Sequence, residues 1–154
     1  MKILKITLIL LLTYTLYADK VEITSTSMRA ENLKKEVHFI GNAKVKKLDD
    51  WLHADKIIVY FDDNNETKMY EAIGSVTFEF KNEKNNYTGS ADKITYHPLT
   101  SVYVLEGKAW IDDVVTKRHL NGNKVTLDMT SGDVQVSGSA KKPAKFIFDM
   151  EEKK

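Results

Sequence analysis

The sequence predicts an all-β chain built from repeated strand pairs, and three observations carry that prediction. Apolar and polar residues alternate with period two beyond residue 20, four glycines recur at near-constant spacing, and no window past the N-terminal apolar run holds a 3.6-residue stripe. The 154 residues suffice for one ordinary domain. Apolar residues at 42% and charged residues at 29% support a packed core and exclude global disorder. Lys and Arg total 23 against 22 for Asp and Glu, so no net positive field is present to hold nucleic acid. The absence of Cys excludes disulfide scaffolds, thiolate zinc sites and Cys nucleophiles, and 2 Pro exclude collagen-like and proline-rich classes.

Residues 1–18 read as a cleaved signal peptide. Lys2 and Lys5 form a positive start, the eleven residues from Ile6 to Leu16 are largely apolar, and Ala18 offers a small residue before Asp19. That run is short of the roughly 20 residues that span a bilayer, which argues against an uncleaved anchor. Cleavage leaves 21 basic against 22 acidic residues. Residues 19–150 then form the β domain, and 151–154 a charged tail.

The strands follow from the alternation. Val37, Phe39, Gly41, Ala43 and Val45 share one parity, while His38, Asn42, Lys44 and Lys46 take the other. Tyr70, Ala72, Gly74, Val76, Phe78 and Phe80 likewise face away from Glu71, Ser75, Thr77 and Glu79. Turn-forming clusters at 62–65, 82–86, 97–100 and 130–133 separate the strands.

The repeat sharpens this. Gly41, Gly74, Gly107 and Gly138 lie 33, 33 and 31 residues apart, each followed two positions on by a small or β-branched residue. Ahead of three of them stand Ala54-Asp55-Lys56-Ile57, Ala91-Asp92-Lys93-Ile94 and Gly122-Asn123-Lys124-Val125, with Ala30-Glu31-Asn32-Leu33 as a degenerate first copy. Each unit is a strand pair that cannot bury its apolar face alone.

If the glycines mark the inward face, the second strands direct Val37, Phe39, Val45, Val76, Phe78, Phe80, Tyr103, Leu105, Ile111, Val134 and Val136 inward. The first strands add Ile57, Val59, Phe61, Ile94, Tyr96, Val125, Leu127 and Met129. These residues are both the candidate core and the candidate lining of a groove for an apolar ligand. The opposite parity carries Lys44, Lys46, Lys56, Thr77, Lys93, Lys108 and Lys124, interrupted by Ile58, Tyr60, Val102, Val104 and Trp110.

The exported start, the repeated Ala-Asp-Lys-Ile openers and the Gly-x-[Ala/Val] second strands together resemble the OstA-like family. That resemblance implies a twisted open β-jellyroll in the periplasm whose apolar interior binds the lipid A acyl chains of lipopolysaccharide. It also implies copies joined head to tail, bridging inner-membrane and outer-membrane lipopolysaccharide transport proteins, with no cofactor. The physics fits, since each CH₂ exposed to water costs about 0.8 kcal/mol. The outward lysines, Lys47 among them, are candidates to meet phosphates at the groove's mouth. Val21 and Ile23 at the start, and Phe146, Ile147 and Phe148 at the end, are the candidate edges for strand pairing between copies.

Catalysis finds no support. His38, His53, His97 and His119 are scattered, and His53 with Asp55 lacks the third ligand a metal site needs. No Gly-x-Ser-x-Gly, phosphate loop or dinucleotide fingerprint is present. The remaining readings are a membrane-anchored relative of the same family and a structural β-repeat protein with a filled core; an exported hydrolase is remote.

Overall fold

Alternation becomes ten antiparallel strands in a computed structural model that describes residues 20–81 and 83–150. The leader at 1–18 and the charged tail at 151–154 lie outside the described residues. The strands are β1 Glu22–Thr24, β2 Ser27–Glu31, β3 Glu36–Lys47, β4 Asp50–Phe61, β5 Thr67–Lys81, β6 Asn86–His97, β7 Val102–Asp113, β8 Arg118–Asp128, β9 Val134–Ser137 and β10 Lys145–Ile147. They form one sheet in the order β1-β3-β4-β5-β6-β7-β8-β10, with β2 also paired to β3 and β9 to β8. Among the described residues, all regular structure is strand.

The turns fall where Asp and Asn place them. Asp62 Oδ1 accepts from the amides of Asn64 and Glu66 at 2.8 and 3.0 Å, closing the β4–β5 hairpin. Asp128 Oδ1 accepts from those of Thr130 and Ser131 at 2.9 and 3.2 Å, closing β8–β9.

The repeated glycines mark a bend. Gly41-Asn42, Gly74-Ser75 and Gly107-Lys108 all have positive φ, at 84° and 44°, 87° and 44°, 80° and 46°. At each pair the ladder slips. Two residues on β3, β5 or β7 oppose a single residue on the following strand, which is Asp55, Asp92 or Asn123. The openers and the glycines therefore meet in space. A Cβ built on Gly74 would lie 2.9 Å from Asp55 Cβ, and one on Gly107 would lie 2.8 Å from Asp92 Cβ. At Gly41 the neighbour is Thr26, whose Oγ1 would be 2.9 Å away. Thr26 thus holds the place expected for Ala30-Glu31-Asn32-Leu33, because Ala30 is already inside β2 and Asn32 begins the turn.

The terminal strands break at this same row. β1 pairs with residues 44–46 of β3 and β2 with 36–40, the break being bridged by Thr26 N–H donating to Gly41 O at 2.8 Å. β9 pairs with residues 124–127 of β8 and β10 with 119–121, and Gly138 begins the segment between them. The long strands run through the row and fold into two layers over one core. Phe80 and Tyr103 lie on opposite sides of the row and share no ladder pairing, yet their ring centroids are 5.1 Å apart.

Candidate functional site

The space between the layers is a wedge, and side-chain size follows its taper. Beside the bend, where the layers converge, the inward positions are small: Ala43, Ala54, Ala72, Ala91 and Ala109 are all buried. Gly89 leaves no room for more, since a Cβ there would lie 2.5 Å from Phe78 Cζ. Phe78, Ile57, Leu105, Val76 and Val125 are the largest side chains buried completely in the interior. Farther out, aromatic rings take over. Tyr70, Tyr96 and Tyr103 stand on three neighbouring strands with centroids 6.2 and 4.2 Å apart. From the other layer Phe80 meets Tyr103 and stacks on Phe78 at 4.7 Å.

A cavity of about 270 Å³ remains between these rings and the first strands. Val45, Leu52, Ile57, Ala72, Ile94 and the aromatic side chains line it, with Lys47 and Asp50 at its polar rim. Its wall is mainly apolar, and a chain entering it exchanges water for hydrocarbon and ring faces. Burial, helped by the nearby Tyr96, Asp50 and Tyr70, pushes the Tyr103 hydroxyl far above the ordinary tyrosine range.

Of the inward residues read from the sequence, the cavity brings together Val45, Ile57, Phe80, Ile94, Tyr96 and Tyr103. Val59, Val76, Phe78, Leu105, Ile111 and Val125 are buried in the core, and Phe39, Phe61, Leu127 and Val136 pack against it half-buried. Val37 lines a separate pocket with Phe61, while Met129 and Val134 are exposed. Ile23 packs on the core, Val21 is half exposed and borders the cavity, and Phe146, Ile147 and Phe148 are exposed at the edge. The outward Ile58 and Thr95 are buried within the sheet's outer face, on either side of Glu71 in the ladder.

Period-two reading missed Leu52, Tyr87 and Leu120, which pack against the core on the early halves of β4, β6 and β8. The slipped register at Asp55, Asp92 and Asn123 shifts inward parity by one there, from Leu52 and Ala54 to Ile57 and Val59. Small residues ahead of those polar side chains, Ala54, Ala91 and Gly122, were the available signal. Among the described residues, the grouping of three metal-ligating side chains is Glu31, Glu36 and His38; His53 and Asp55 are not part of it.

Comparison with known proteins agrees with this architecture. The model of a family described as the LptA/(LptD N-terminal domain) LPS transport protein matches residues 15–133. The structure is similar to the crystal structure of LptH from Pseudomonas aeruginosa, the LptA homologous periplasmic component of that organism's lipopolysaccharide transport device. The TM-score is 0.75 at 14% identity, covering 85% of this chain and 96% of that one, which establishes the shared open β-jellyroll. No curated protein matches. With the family match spanning most of the β domain, the chain belongs to the LptA/LptD N-terminal domain family of lipopolysaccharide transport proteins.

Proposed function

We propose that this chain is a periplasmic carrier that takes the lipid A acyl chains of lipopolysaccharide into its wedge and passes them between the inner and outer membranes. The observation that carries the reading is the apolar cavity between the two layers, lined by aliphatic side chains from one end and a tyrosine ladder from the other. An acyl chain of a dozen carbons loses on the order of 10 kcal/mol of hydration cost on entering such a site. Membership of a transport family supports a role without catalysis.

Head-to-tail stacking is the second half of the proposal. β1 and β10 close the second layer without pairing to each other, so the sheet keeps open edges. Phe146 and Ile147 on the last strand and Phe148 just after it are exposed, with the Phe146 and Phe148 rings stacked at 5.3 Å. Joining unlike edges extends the wedge from one copy to the next and leaves the outer copies free to meet membrane-bound transport proteins.

A photo-crosslinking side chain at residue 80 or 96 tests the cavity. Lipopolysaccharide should be captured there in cells, and not from Lys93 or Thr77 on the outer face. Labelling independent of the face would remove the carrier reading. The filled interior around Phe78 and Leu105 favours the alternative of a structural β-repeat protein, for which both cavity positions would stay unlabelled in a folded protein.

A further inference from the structure

The closed end of the β2–β3 hairpin carries an arrangement that lipid carriage does not use. Glu31 and Glu36 stand directly opposite one another as the last pair of the ladder, and His38 follows two residues on. All three side chains therefore leave the sheet on its outer face. His38 Nε2 lies 2.8 Å from Glu36 Oε2 and 4.0 Å from Glu31 Oε2. One donor atom from each residue falls within 4.8 Å of the other two.

Opposed carboxylates on adjacent strands repel, and a cation between them removes that penalty. His38 supplies the independent observation. It is only 7% exposed, its ring points Nε2 into the pair of carboxylates, and its hydrogen-bonding contact lies inside the trio. Nδ1 is buried without a partner, and Glu31 Oε2 is met by the exposed Lys34 at 3.3 Å. Arg29 holds the other Glu31 oxygen at 3.0 Å, which fixes the carboxylate in place.

An imidazole nitrogen with two carboxylate oxygens is a donor set for borderline divalent cations, zinc foremost. Tetrahedral zinc with bonds of about 2.1 Å separates its ligand atoms by about 3.4 Å. The observed 2.8 and 4.0 Å straddle that value, so small side-chain rotations and withdrawal of Lys34 complete the triangle. A fourth position would open toward solvent on the partly exposed glutamate side. We propose that Glu31, Glu36 and His38 form a zinc site that clamps the edge strand β2 to β3.

The test uses tag-free purified protein in chelator-treated buffer, with zinc chloride as the only titrant. Calorimetry should show one saturable site, and zinc should raise the Tm of the wild type. Glu36→Gln, a partly exposed and nearly isosteric change, should weaken binding at least tenfold and abolish the Tm rise. His38→Gln, checked for folding by circular dichroism, should do the same. Absence of a stoichiometric site in the wild type would overturn the proposal. So would binding that survives Glu36→Gln undiminished, which would put the zinc elsewhere, for instance at Asp112 and His119.

Discussion

A methyl group at residue 74 has nowhere to go. It would meet Asp55 on the neighbouring strand, on a backbone whose φ of +87° already disfavours any side chain. Gly74→Ala should therefore cost roughly 1–3 kcal/mol in urea unfolding, from strain plus the displaced Asp55. Adding Asp55→Gly should recover part of that loss, because it removes the colliding atoms and leaves only the strain; additive losses would show that the two residues do not touch. Tyr103 gives a pH-dependent counterpart. An unfolded tyrosine ionises near pH 10, whereas burial keeps Tyr103 protonated well beyond it. Above that pH the unfolded chain releases a proton that the native chain retains, so stability falls as pH rises. Between about pH 9 and 11 the urea midpoint of Tyr103→Phe should drop less than that of the wild type. The glycine and acidic motifs were both legible in the sequence. Their contact was not, because it depends on which residues face each other across a slipped ladder.

The eight central and terminal units behave as bent strands, and alternation located nearly all of them. It read the late halves of β4, β6 and β8 correctly through Ile57, Ile94 and Val125, all buried. It lost Leu52, Tyr87 and Leu120 because a bulge shifts parity without changing composition. At the chain ends the strand is split instead of bulged, into β1 with β2 and β9 with β10. Each short piece is held by few ladder pairs: Lys145, Phe146 and Ile147 pair only with Asn121, Leu120 and His119. Ile147→Pro removes a donor from that strand while leaving the core untouched. Light scattering should then show monomers where the wild type forms oligomers that grow with concentration. Unchanged assemblies would mean that another edge makes the joint.

At the scale of the whole molecule, the taper from alanine to aromatic rings decides where space is left between the layers. Most of the inward residue set was legible from parity. Which members fill space and which border a void was not, because that depends on the distance between layers, set by the bend. Ile57 shows the point, being 1% exposed and yet part of the cavity wall.

The bulge row also makes the trough modular. The bends of β3, β5 and β7 fall at equivalent glycines, so a whole period can be excised without disturbing the junctions. Deleting residues 74–106 joins the first half of β5 to the second half of β7, keeping a glycine where Asp55 lies across it and Asn123 faces it. The result would be a sheet shorter by two strands, a step of roughly 9.5 Å. Trough length in such a fold is therefore quantised in hairpins. The shortened protein should retain a β-type circular dichroism spectrum and cooperative unfolding, yet lose lipopolysaccharide capture, because Phe80, Ile94, Tyr96 and Tyr103 leave with the excised period.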